Sequence, residues 1–168
     1  MPELTRTQRE FRAAMANLSA AVNVVTTDGP RGRAGMTVSA ACSVTDAPPT
    51  VLVCVNRSSR SHDILIGNGR IAVNVLGPDH EDLAMHFAGS TKVPTAQRFD
   101  DGPWDLDTHG VPVLKSATAT VVGSIAAERA LGSHSVLFVA AETVITSNDN
   151  GALVYFQRQF HSLGTPAA

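Results

Sequence analysis

The sequence predicts a mainly β domain, a closed or split antiparallel barrel with short helices at its margins. Three observations carry that prediction. Roughly six or seven short strand-like runs recur along the chain, each ended by Gly, Pro, Asn or Asp turn signals. The helical stretches are too short and too irregularly placed for the β–α alternation of a doubly wound parallel sheet. At 168 residues, 43% hydrophobic and 17% charged, the chain has the length of one domain and can bury a core.

The elements follow in order. TQREFRAAMANL (7–18) is helical in pattern, with Thr7 as cap and Phe11, Met15 and Leu18 on one face. AAVNVVTT (20–27) is a strand ending in a Gly/Pro turn over 28–35. MTVSAACSVT (36–45) alternates. Met36, Val38, Ala40, Cys42 and Val44 share one face, and Thr37, Ser39, Ala41, Ser43 and Thr45 the other. A four-residue hairpin loop at 46–49 puts Thr45 opposite Thr50 and Cys42 opposite Val53, with Cys54 on the opposite face. That register disfavours a disulfide and reads both cysteines as small buried residues in a reducing compartment. TVLVCVN (50–56) is apolar on both faces and reads as an interior strand.

SSRSHDILIGNG (58–69) reads as a short helix with serine caps, stopped at Gly67 or Gly69. RIAVNVLG (70–77) is a strand. PDHEDLAMHFAG (78–89) is a short helix capped by Asp79, with Leu83 and Phe87 on one side and Gly89 as its stop. Residues 90–114 form a long loop punctuated by Pro and Gly, the kind of segment that carries function. Three strand-like segments follow, at 115–131, 133–146 and 152–160, and the tail 164–168 reads as loose.

Several function classes are excluded. The net charge of −2 offers no field for nucleic acid or an anionic membrane. The apolar runs are too short to span a bilayer and the first residues lack a signal-peptide core, so the expected location is cytoplasmic. No G-x-G-x-x-G, G-x-x-x-x-G-K-[ST] or G-x-S-x-G motif occurs. His80 and His86 are six residues apart, where two metal ligands on one helical face need three or four. His62-Asp63 lacks companion ligands, and no metal site is expected.

What remains is a hydroxyl-rich stretch with no evident catalyst, GMTVSAACSVTDAPPTVLVCVNRSSRS (35–61). Its hydroxyls suit either the solvated face of a strand or a ligand cradle. Asn56 runs straight into Ser58, Ser59 and Ser61 at a helix start, where free N–H groups and hydroxyls can receive a phosphate. A second candidate is GSHS (132–135), with His134 at the mouth of an apolar strand; a third is Tyr155 with Arg158 near the C-terminus. His80, His86 and His109 read as solvent-facing, and His62 and Asp63 as incidental.

Together with FRAAMANLSAAVNVVTT, AMHFAG, Arg98-Phe99 and GSHSVLFV, that stretch resembles the short-chain flavin reductase family over residues 11–160, nearly the whole chain. These are the reductase components of two-component flavin-dependent monooxygenases. The resemblance implies an FMN-binding split β-barrel of Greek-key type, a homodimer, and an enzyme that transfers a hydride from NADH or NADPH to FMN or FAD. The reduced flavin then passes to a partner oxygenase. By the same resemblance Gly35, Thr37, Val38, Ser39 and Ala40 line the isoalloxazine, and Asn56, Ser58, Ser59 and Ser61 hold the phosphate. Phe87, Ala88, Gly89 and Phe99 lie near the ring, and Tyr155 in the segment that closes over the site. His134 is the catalytic candidate, positioning flavin or nicotinamide. Phe156 and Gln157 stand where some relatives carry His-Arg. A flavin-binding split barrel without reductase activity, for storage, sensing or pyridoxamine-phosphate-oxidase-like chemistry, is the alternative. The absence of an acid–base pair fits hydride transfer, since the cofactors bring that chemistry.

Overall fold

The computed structural model describes residues 3–100, 102–147 and 151–164. The 165–168 part of the expected loose tail lies outside them. The strands are β1 Ala20–Ala21, β2 Asn23–Thr27, β3 Ala34–Val38, β4 Ala41–Asp46, β5 Pro49–Asn56 and β6 Arg70–Val75. They continue with β7 Trp104–Leu106, β8 Pro112–Leu114, β9 Ala119–Leu131, β10 His134–Thr146, β11 Gly151–Phe156 and β12 Gln159–Gly164. The helices are α1 Arg6–Met15, α2 His62–Asn68 and α3 Glu81–Phe87, with a 3-10 turn at Thr95–Phe99.

Seven strands form one antiparallel sheet in the order β3-β2-β6-β9-β10-β5-β4. Its edge strands β3 and β4 are joined by Ser39 and Ala40 alone, so the sheet must curl until its edges approach. No ladder between them closes it among the described residues. This is the split-barrel architecture expected. Inside the curl pack Val25, Val53, Val55, Leu65, Ile71, Val73, Leu137 and Val139. Outside β2, a second core gathers Val22, Val24, Leu76, Phe87, Phe99, Leu114 and Leu153. β2 is buried along its full length, with apolar layers on both faces.

Several boundaries differ from expectation. The single alternating strand expected over 36–45 breaks at Ser39–Ala40 into β3 and β4, because one chain must serve both edges. β3 begins at Ala34, inside the expected turn. The 46–49 hairpin keeps Thr45 opposite Thr50, but a bulge at Val44 puts Cys42 opposite Leu52 instead of Val53. Cys42 therefore shares a face with Cys54, its diagonal neighbour. Cys42 is exposed and Cys54 half-buried, and both are free thiols. Burial, and then Cys42, push the Cys54 thiol up.

α1 starts two residues earlier than expected and ends at Met15. Thr5 caps it, in a box completed by Gln8. None of its residues is buried. His80 caps α3 in place of Asp79. Gly69 ends α2 in the left-handed conformation with φ 71°. The 90–114 segment holds the 3-10 turn and the β7–β8 hairpin. The last expected strand is two, β11 and β12, reversing at Gln157 and Arg158 with φ 50° and 63°. No helix among the described residues is long and apolar enough to cross a membrane.

Candidate functional site

Three chain segments converge where β3 leaves the barrel: β3 itself, the turn from β5 into α2, and the segment from α3 to the 3-10 turn. Gly35 is the junction. Its N–H donates to Thr95 Oγ1 at 3.1 Å and its carbonyl accepts from Ser61 Oγ at 3.1 Å. Thr37 Oγ1 donates to the Ala84 carbonyl at 2.6 Å, tying β3 to α3. The Asn56 carboxamide shapes the serine turn by accepting from both the N–H and the hydroxyl of Ser58, at 2.9 and 2.8 Å. Ser59 Oγ accepts from Ser61 N–H at 3.2 Å.

Between these segments lies a cleft of about 620 Å³. It is lined by Met36 and Thr37, by Asn56, Ser58, Ser59, Arg60 and Ser61, by Phe87–Gly89, and by Lys92–Thr95 with Arg98. Three lining residues are cationic and none is acidic. Arg98 is anchored by bonds from Nε to the Val93 carbonyl (3.0 Å) and from Nη1 to the Phe87 carbonyl (3.1 Å). Burial, and then the Arg60 charge, push its pKa down. Like charges gathered without a carboxylate make the cleft a favourable place for an anion.

Phe87 forms the floor, and Phe99 and Trp104 brace it edge-on at centroid distances of 5.0 and 5.4 Å. Gly89 turns the chain away from α3 at φ 92°. Beyond Thr37 and Ala88, an apolar hollow of about 230 Å³ runs on to Ser39, Met85, Tyr155 and Phe160. On the other side, Asn56 and Ser58 are shared with a cleft that holds His62, Ser133 and His134. His134 stands directly across the ladder from Asn56. It is exposed, and its Nδ1 lies 2.9 Å from Ser133 Oγ.

Thus Thr37, Asn56, Ser58, Ser59, Ser61, Phe87, Ala88 and Gly89 come together, with His134 and Ser39–Tyr155 at opposite ends. Gly35 and Phe99 lie beneath the floor. Val38 points into the barrel core, 7% exposed. Ala40 lies away from the cleft, its carbonyl accepting from Cys54 N–H at 2.9 Å. Ser43 and Thr45 are on the exposed edge strand, so the solvated reading holds for that half of the hydroxyl face. Arg158 lines a groove along α1 with Tyr155.

Sequence reasoning passed over Lys92, Thr95 and Arg98 as site residues, while Arg60 belongs to the serine–arginine turn already read as offering phosphate donors. Their signal was present: 90–99 carries two cations and no acid. It also misjudged two histidines. His80 is half-buried, accepting from Gly77 N–H at 2.9 Å through Nδ1, with Nε2 3.0 Å from Ser116 Oγ. His62 is 7% exposed and bonded at both ring nitrogens.

The split barrel thus carries an elongated cleft with a cationic hydroxyl-lined centre, an aromatic floor and an apolar extension. The chain belongs to the flavin reductase like domain family, which matches residues 15–164. It is 48% identical over 166 residues to the 4-hydroxyphenylacetate 3-monooxygenase reductase component of Pseudomonas aeruginosa, covering 99% of this chain and 98% of that one. It is 44% identical over 158 residues to the FMN reductase (NADH) RutF of Stutzerimonas stutzeri, covering 94% and 90%. Among solved structures it resembles BorF, the flavin reductase component of a bacterial two-component tryptophan halogenase. The TM-score is 0.87 at 28% identity, with 94% and 98% covered. The NADH:FAD oxidoreductase SgcE6 of Streptomyces globisporus, in complex with NAD and FAD fragments, gives a TM-score of 0.87 at 25% identity with both chains fully covered, 100% each.

Proposed function

We propose that this protein is an NADH-dependent flavin reductase whose central cleft holds FMN or FAD and which hands the reduced flavin to an oxygenase. The observation that carries the reading is the cleft's charge. Arg60, Lys92 and Arg98 line it beside Ser58 and Ser59, without an acidic residue. Those groups suit a phosphate, while Met36, Phe87 and Ala88 suit a flat apolar ring, so the residues fit the cofactor.

When bound, the flavin supplies the hydride acceptor and the nicotinamide the donor. The chain's own task is to bind and orient them. Asn56 holds the serine turn in shape, and Arg60, Lys92 and Arg98 attract the phosphate end. Thr37, Phe87, Ala88 and Gly89 would border the ring, and Tyr155 and Ser39 extend that border. His134 would orient the nicotinamide at the adjoining cleft, without a proton transfer.

The domain extends over the full chain, with its core at about 11–160, and works in the cytoplasm. Reductase components of two-component systems supply an oxygenase, and the relatives named above support such a partner here. A homodimer is supported by Phe11 and Met15 on α1 and Leu18 just beyond its end, which are 63%, 45% and 65% exposed. A second copy is the natural cover for that face.

Steady-state NADH oxidation with and without added flavin tests the reading. Saturable stimulation by FMN or FAD is expected. A rate indifferent to both flavins, with either NADH or NADPH, would refute it.

A further inference from the structure

Three hydrogen bonds stitch the β5–α2 turn to the tip of the β9–β10 hairpin, and they flank His134 on both sides. Before it, Arg57 N–H donates to the Ser133 carbonyl at 2.9 Å and Arg57 Nη1 to the Gly132 carbonyl at 3.4 Å. After it, His62 Nε2 lies 2.9 Å from Ser135 Oγ. His62 is the first residue of α2 and directly follows the serine turn.

The proton inventory fixes how this last bond works. Ser135 Oγ also lies 2.7 Å from Glu128 Oε1, and a carboxylate only accepts. The single hydroxyl proton therefore goes to Glu128, and His62 must donate Nε2–H to the Ser135 oxygen. Nδ1 lies 2.7 Å from Asp63 Oδ1 on the solvent side. The order Asp63–His62–Ser135 is thus not a hydrolytic triad. The histidine donates to the serine instead of taking its proton, and Ser135 is fully buried, 0% exposed.

An imidazole in the second layer of a barrel wall is costly unless its nitrogens are satisfied. Here the ring's donor is aimed at the one residue that follows His134 in sequence. We propose that His62 is a positioning residue for the reductase reaction: through Ser135 it fixes the strand end that carries His134. It thereby locks the His134 backbone to the turn that shapes the cradle. The bracket requires only that Nε2 carry its proton toward the Ser135 oxygen. The inference rests on the placement of His134 at the nicotinamide end of the site.

The test compares His62→Leu, His62→Gln, His134→Ala and the double variant His62→Leu/His134→Ala. The readouts are kcat/KM for NADH and the Kd of FMN. His62→Leu is expected to lower kcat/KM about tenfold while FMN affinity stays within about twofold, since orientation is lost and the cradle is not. Glutamine offers an N–H at similar reach and should restore most of the loss. In the His134→Ala background His62→Leu should cost nothing further, because its effect passes through His134. Should His62→Leu fail to fold, Ser135→Ala is expected to give the same loss.

Wild-type kinetics in His62→Leu, equal damage from glutamine, or multiplicative losses in the double variant would overturn the inference. So would an impaired His62→Leu beside a silent His134→Ala. Flavin-dependent NADH oxidation by the unaltered protein would in each case leave the reductase reading standing.

Discussion

A methyl group on Gly35 would lie 2.7 Å from Phe87 Cε1 and 3.0 Å from Phe99 Cζ. Both rings are buried and braced by Trp104, so they cannot swing aside. Gly35→Ala should therefore cost about 1–3 kcal/mol in urea denaturation and weaken flavin binding by tilting the Phe87 floor. His80 makes a different residue-scale prediction. Burial holds its imidazole below the ordinary value near 6.5, against a smaller opposing pull from Asp79. The acceptor role of Nδ1 toward Gly77 N–H calls for the same neutral ring. On acidification the unfolded chain takes up this proton first. The contribution is thus complete above 6.5 and declines as pH falls from there through the lower folded value. The thermal midpoint should drop as pH falls below 6.5, and drop less in His80→Gln.

Elements show which features the sequence made legible and why. The apolar runs of β5 and β6 and the glycine stops of α2 and α3 were readable, since burial and left-handed geometry leave local marks. The break at Ser39–Ala40 was not, because the apolar–polar alternation passes through the bend with no Gly or Pro to flag it. The β11–β12 reversal was hidden for the same kind of reason: Gln157 and Arg158 occupy positions usually taken by Asn or Gly. In the site, the serine turn was visible as a motif, whereas Arg60, Lys92 and Arg98 meet only through the fold. Asn74 on β6 is another such meeting point. Its Nδ2 donates to the Val24 carbonyl (2.9 Å), and its Oδ1 accepts from Leu114 N–H (2.9 Å) and Thr120 Oγ1 (3.2 Å). Asn74→Ala would orphan buried groups on three strands. It should cost about 2–4 kcal/mol in denaturant unfolding.

At the scale of the molecule, α1 stands without a buried side chain, and a ten-residue helix is marginal on its own in water. Val144 and Ile145 on β10 and Val44 on β4 add exposed apolar surface at 60%, 48% and 49%. Equilibrium sedimentation should give twice the chain mass, and Phe11→Ser with Leu18→Ser should shift the population toward the single chain. The cofactor claim is of the same scale, because it depends on β3, the serine turn and the 92–98 segment meeting at one cleft. Fluorescence titration of FMN against riboflavin, which lacks the phosphate, tests it most directly. The wild type should bind FMN at least about tenfold more tightly, and Arg60→Ala/Lys92→Ala should erase most of that preference while leaving riboflavin binding unchanged. Equal affinity of the wild type for FMN and riboflavin, or an undiminished preference in the double variant, would contradict a phosphate cradle at this cleft.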